Sequence, residues 1–394
     1  MGRLPGVHGA LGKRRRPSGR NPGYIVVLGI VVALGFSQVP SAGAGTARNG
    51  AGQPTPCPAV PGQPSGGSPR LMIVGDSISQ GSSGDYTWQY RLYEHLRADG
   101  VRPQMAGPVE WLVNNVTGTQ GDCSYANPRF ERANDAVWGR ALFQEKAVIG
   151  AKVAAYHPDY LLVLLGLNDL LFFGISQPNM AANLDGFIAR ARAARPHIKI
   201  VLGFLLPDIH TQTSATFAAS VAAYNKAISA TASRLTTASS PIVVAHDRIG
   251  FTVAADTWDG THPNANGEVR IAAGFADALA GRFHLGRLYP APFPALPTGP
   301  LTQPRLTAAP STTAGSVVMS WTLAPGASSY DVYVEDLTQQ QATFTKLSPP
   351  LTPSQNSGAT VGTLNSHDTY DVKLRACKGN DCGAFSNVAS VTVP

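Results

Sequence analysis

Four stretches of the chain are short and apolar at almost every position: Leu71-Met72-Ile73-Val74, Tyr160 to Leu165, Ile198 to Leu206 and Ile242 to Ala245. A strand with one face in water alternates apolar and polar side chains, and these do not. Between them lie segments with helical spacing: Trp88 to Ala98, where Leu92, His95 and Leu96 share a face, and residues 179–194, 214–235 and 266–280. The combination predicts a parallel sheet covered by helices on both faces, a three-layer α/β/α domain. In such a sheet ligands gather at the carboxyl ends of the strands, so chemistry is expected in the residues that follow each apolar run.

Two breaks bound this region. Residues 41–69 hold 13 Gly or Pro among 29, which predicts a flexible leader over 45–69. Leu288 to Pro304 carries Pro at 290, 292, 294, 297, 300 and 304, which predicts an extended, semi-rigid linker. The α/β domain is therefore placed at 70–287 and a second domain at 305–394. In the latter, Val317 to Trp321, Tyr330 to Val334 and Tyr370 to Leu374 alternate apolar and polar residues. Short alternating strands separated by Gly, Pro and Ser turns predict an all-β sandwich. It contains no cluster of titratable side chains, so it is expected to be a spacer or weak targeting module.

The formal charge of +7 would by itself admit a nucleic-acid or anionic-membrane partner. Residues 1–44, however, hold six basic residues and no acid. A basic segment, the apolar run Tyr24 to Phe36 and the small residues Ala42 and Ala44 have the three-part layout of a secretory signal peptide over 1–44. The 13 apolar residues fall short of the roughly 20 that span a bilayer. No Cys follows them until Cys57, so a lipid anchor is not expected. The rest of the chain has 25 basic residues against 24 acidic ones, a net of +1. The expectation is a secreted, extracellular protein with no nucleic-acid partner and no stable membrane anchor after cleavage.

Four Cys can pair in three ways. The Lys-Gly-Asn-Asp between Cys377 and Cys382 reads as a turn that brings those thiols together, which would leave Cys57 with Cys123. Neither pair has zinc-ligand spacing, so no metal is expected.

The first apolar run ends in Gly75-Asp76-Ser77, placing a hydroxyl on the turn that leaves the strand. Asp259-Gly260-Thr261-His262-Pro263 precedes the last helical segment, and its Asp and His can supply a base and the acceptor that orients it. Gly166-Leu167-Asn168-Asp169 ends the run from Tyr160, where the Asn168 amide can donate to a developing oxyanion. Gly107 offers a backbone N–H that no side chain obstructs. Among other bases, His246 adjoins Asp247, but neighbours on a strand point to opposite faces. His157 and His197 precede strands and sit at the wrong end of the sheet.

This ordered set resembles the SGNH, or GDSL-type, hydrolase superfamily, with Gly75-Asp76-Ser77, Gly107, Gly166 to Asp169 and Asp259 to Pro263 matching its four blocks. The resemblance implies a flavodoxin-like fold and esterase activity without a cofactor. Ser77 would be the nucleophile, His262 the base and Asp259 its orienter, with the N–H groups of Ser77 and Gly107 and the Asn168 side chain as oxyanion hole. Tyr86 to Leu92 followed by Met105-Ala106-Gly107 is similar to the carbohydrate-esterase branch, whose substrates are acetylated polysaccharides such as xylan; Asn134 to Gly139 departs from its usual His-Gly segment. Trp138 and Trp258 are candidate sugar-stacking residues. Leu170, Leu171, Phe172 and Phe173 leave open a lid for longer acyl chains and hence a lipid esterase, and a third reading is a non-catalytic polysaccharide-binding protein. The smaller block resembles a fibronectin type III module, with Trp321 at the core position of its second strand and Leu364 and Tyr370 in a tyrosine-corner arrangement.

Overall fold

The computed structural model describes residues 57–58, 68–352 and 357–394; the expected signal peptide and nearly all of the leader lie outside them. The α/β region contains the strands β1 (Arg70–Gly75), β2 (Gln104–Met105), β3 (Leu112–Asn114), β4 (Thr119–Asp122), β5 (Asp135–Ala136), β6 (Tyr160–Leu164), β7 (Lys199–Gly203) and β8 (Ile242–Ala245). Its helices are α1 (Ser77–Gln80), α2 (Trp88–Ala98), α3 (Leu142–Tyr156), α4 (Leu167–Leu171), α5 (Gln177–Ala194), α6 (Ile209–Thr213), α7 (Ala215–Leu235), α8 (Val253–Asp256) and α9 (Ala265–Phe283).

The main sheet runs β2-β1-β6-β7-β8, with β5 also beside β1, and every pairing in it is parallel. Leu71 to Val74 are fully buried, as are Leu161, Leu162, Ile200 and Val201, because helices cover both faces. On one side α2 packs against α9, where Trp88 stacks on Phe275 with ring centroids 4.7 Å apart. A separate group is formed by α3, α5 and α7. The chain passes from β1 to β2 on one side and later to β6 on the other. That reversal opens a crevice at the carboxyl ends of β1 and β6, the place where such sheets bind ligands.

Helix α3 is absent from the expected elements. Leu142, Ile149 and Val153 lie buried on it, but Glu145 is buried among them and pairs with Lys152 at 2.8 Å, so the apolar stripe is interrupted. Its N-cap residue, Ala141, has no side-chain acceptor. Asp169, distant in sequence, accepts from the N–H groups of Leu142 (2.6 Å) and Phe143 (3.2 Å) instead.

The C-terminal region is a β-sandwich of β9 (Leu306–Pro310), β10 (Val317–Trp321), β11 (Ser329–Asp336), β12 (Thr345–Lys346), β13 (Gly358–Val361), β14 (Thr369–Lys378), β15 (Asp381–Phe385) and β16 (Ala389–Thr392). One sheet is β13-β10-β9 and the other β12-β11-β14-β15, with β16 also on β14. Trp321 and Tyr330 meet in its core at 5.1 Å, and the Tyr370 hydroxyl accepts from the N–H of Asn365 at 3.1 Å. Disulfides join Cys57 to Cys123 and Cys377 to Cys382.

The sandwich does not hang free at the end of a spacer. It shares one compact unit, Gln53–Pro394, with the α/β region. Lys378 in β14 is buried and donates from Nζ to the Ser83 carbonyl at 3.0 Å while pairing with Asp85. A buried ammonium is tolerated only when so paired.

Candidate active site

Ser77 opens α1 directly after β1. Asp76 caps that helix through Oδ1, which accepts from the Ile78 N–H at 3.0 Å. As the first helical residue, Ser77 has an N–H with no intrahelical acceptor. The loop from Thr257 to Pro263 carries the other two groups and is closed by the Trp258 N–H donating to the His262 carbonyl at 3.0 Å. Within it, Asp259 Oδ1 accepts from the N–H groups of Thr261 (3.0 Å) and His262 (2.7 Å), which shapes the turn. Asp259 Oδ2 is then left to face His262 Nδ1 at 2.7 Å, and His262 Nε2 lies 3.0 Å from Ser77 Oγ. The carboxylate cannot donate, so Nδ1 carries the proton and Nε2 offers its lone pair to the hydroxyl. Burial alone would raise the Asp259 carboxyl, but the charge and hydrogen bonds of His262 outweigh it and hold it below its ordinary value.

Trp138 and Trp258, considered above as sugar platforms, both stack on the His262 ring, at centroid distances of 4.3 and 5.4 Å. Trp138 is anchored through its backbone N–H, which donates to Gln80 Oε1 at 2.7 Å. Nothing local in the sequence signals either contact.

Gly107 follows β2 with φ +147°, and a Cβ there would meet the Asn134 carbonyl oxygen at 2.1 Å, so only glycine fits. Its N–H has no acceptor among the described residues. Asn168, on α4 after β6, directs its amide nitrogen to Asp76 Oδ2 (3.2 Å) and the Arg140 carbonyl (3.0 Å). Both of its amide hydrogens are thus engaged, in a network that joins residues far apart in sequence. Burial pushes Asp76 up to about 7 against the Ile78 N–H and the charge of His262.

Ser77, Ile78, Gly81, Trp88, Trp138 and His262 are among the residues lining one pocket. None of Leu170, Leu171, Phe172 and Phe173 lines it; Phe172 and Phe173 are exposed, the latter edge-on to Phe143. His246 is exposed, whereas its neighbour Asp247 turns inward and accepts from the Phe204 N–H at 3.0 Å. His157 and His197 lie before β6 and β7, at the opposite end of the sheet from Ser77. Among the described residues, the one cluster of potential metal ligands is Asp331 with Cys377 and Cys382, and both sulfurs are in a disulfide.

Residues 73–270, half of the chain, match the model of the GDSL-like Lipase/Acylhydrolase family. No curated protein matches the sequence. Solved structures similar to this one include a carbohydrate esterase family 3 from Talaromyces cellulolyticus, at 24% identity and TM-score 0.46 over 54% of this chain and 97% of that one. Another is the family 3 carbohydrate esterase of Clostridium thermocellum, at 20% identity and TM-score 0.44 over 56% and 100%. A variant of an acetyl xylan esterase from Geobacillus stearothermophilus is similar at 16% identity and TM-score 0.40 over 57% and 99%. On the family match over half its length, the chain belongs to the GDSL-like Lipase/Acylhydrolase family and is a carboxylic ester hydrolase.

Proposed function

We propose that the protein is a secreted serine esterase that removes acetyl groups from a polysaccharide such as xylan through an acyl-enzyme on Ser77. The observation that carries this reading is the unbroken hydrogen-bonded series from Asp259 through His262 to Ser77 Oγ. As Oγ attacks the ester carbonyl, His262 Nε2 takes its proton, and Asp259 stabilises the imidazolium. His262 then protonates the departing alcohol, and water repeats the sequence to release the acid. The N–H groups of Ser77 and Gly107, which have no acceptor among the described residues, are the readiest oxyanion donors. Asn168 joins them by turning an amide hydrogen away from Asp76 or Arg140.

The bulky side chains of Trp88, Trp138 and His262, which line the pocket beside Ser77, support a short acyl group. Exposed Phe172 and Phe173 favour a second reading, a lipid esterase that gathers longer chains at the surface. Export is supported by the two disulfides. The Tyr370 hydroxyl bond to Asn365, beside the core Trp321, supports the fibronectin type III reading of the sandwich. Turnover of a p-nitrophenyl ester series, beside acetyl release from acetylated xylan, tests the substrate. A maximum at acetate with release from xylan is expected; a maximum at eight or more carbons would establish the lipid reading. Ser77→Ala is expected to abolish both activities and organophosphate labelling.

A further inference from the structure

The tip between β14 and β15, Lys378 to Asp381, is closed at its base by the Cys377–Cys382 disulfide and lies against the loop that carries Asp259 and His262. The N–H of Asn380 donates to the Trp258 carbonyl at 2.8 Å. Gly379, at φ +54°, approaches so closely that a Cβ would sit 2.0 Å from that same carbonyl oxygen. The Lys378 ammonium lies 5.2 Å from the Trp258 ring, whose stacking partner is His262. One residue beyond the loop, Asn264 Nδ2 donates to Asp381 Oδ2 at 2.9 Å. The α/β region holds the other side of the loop, where the Ile209 N–H donates to the Gly260 carbonyl at 2.7 Å. Trp258 is therefore seated between the imidazole and a segment of the other domain.

We propose that this disulfide-closed tip is a positioning element of the esterase, and that Gly379 and Asp381 set the placement of His262 through Trp258 and Asn264. The proposal rests on the Ser77, His262 and Asp259 reading above. Proton transfer from Ser77 requires Nε2 at hydrogen-bond distance, and a misplacement of about 1 Å costs on the order of 100-fold in rate. None of residues 378–381 lines the pocket beside Ser77, so losing the tip's contacts should fall on turnover rather than on KM.

Full-length Gly379→Val, Asp381→Ala, Asp381→Asn and Ser77→Ala proteins would be compared for kcat and KM on p-nitrophenyl acetate, with circular dichroism reporting the fold. Gly379→Val, which cannot approach Trp258, is expected to lose about 10- to 100-fold in kcat with KM within about twofold. Asp381→Ala should lose about three- to tenfold, and Asp381→Asn, which keeps an acceptor for Asn264, should recover it. If Gly379→Val does not fold, the Asp381 pair decides the matter. Folded variants with wild-type kcat beside an inactive Ser77→Ala would overturn the positioning role alone. Turnover surviving in Ser77→Ala would overturn the nucleophile assignment and the positioning role with it.

Discussion

Replacing Asp259 separates two jobs that one carboxylate performs. Oδ1 holds the turn through the N–H groups of Thr261 and His262, and Oδ2 faces His262 Nδ1. In Asp259→Asn the carbonyl oxygen must stay on the two backbone donors, because an NH2 group cannot accept from them. The amide NH2 then points at Nδ1 and donates to it. That forces the ring proton onto Nε2, where it faces Ser77 Oγ and the imidazole can no longer act as base. The same replacement in the serine protease triad lowers kcat by about 10⁴ through the wrong tautomer. Asp259→Ala removes the acceptor without imposing a tautomer. The Asp259 side chain is 29% exposed and that of His262 16%, so water can take the place of Oδ2. Its cost should be nearer 10²-fold, about 2.7 kcal/mol, since solvent already screens the pair. The expected order is therefore wild type, then Ala, then Asn, with Asn at least about tenfold below Ala. Initial rates on p-nitrophenyl acetate, normalised by organophosphate titration of Ser77, measure it. An Asn variant equal to or faster than Ala would refute the tautomer reasoning, and wild-type turnover in both would remove Asp259 from the mechanism.

Two further outcomes follow from buried polar groups. Asn168→Ala should lower kcat by about 10²- to 10³-fold if the amide serves the oxyanion. It should also cost about 1–3 kcal/mol in urea unfolding, because Asp76 Oδ2 and the Arg140 carbonyl lose their donor; unchanged turnover would exclude the oxyanion role. Asp247 is pushed up to about 8 by burial, and its Oδ2 has no partner among the described residues. A carboxyl with a raised folded pKa binds its proton more tightly in the folded chain. Its contribution is present below about pH 4 and declines as the pH rises towards 8, by at most about 1.4 kcal/mol per unit. Asp247→Asn should therefore flatten the fall in stability between pH 5 and 8, and parallel unfolding profiles for the two proteins would contradict this.

Much of the α/β architecture is legible because it is encoded locally. Runs such as Leu71 to Val74 are apolar on both faces and too short for a buried helix, which suits a covered strand. Helix α3 escapes notice for the complementary reason. Its start is capped by Asp169, from another element, and its stripe is broken by Glu145, whose burial depends on Lys152. In the candidate site, the contact between Asp259 and His262 is legible because both lie on one tight loop. Asp76, Asn168 and Arg140 form a network that no spacing could reveal.

The sequence by itself determined what short-range forces decide: strands and helices from hydrophobic period, the loop geometry of Asp259 and His262, and a hydroxyl at the end of β1. Only the tertiary structure brought His262 to Ser77 across 185 residues, set Trp138 and Trp258 on the imidazole and lodged the Lys378 tip against the loop of Asp259 and His262. Those contacts arise where the crossover between β1 and β6 opens the sheet and where the α/β region and the sandwich bury polar groups against each other. Both depend on shape complementarity between distant segments, which no local pattern of residues records.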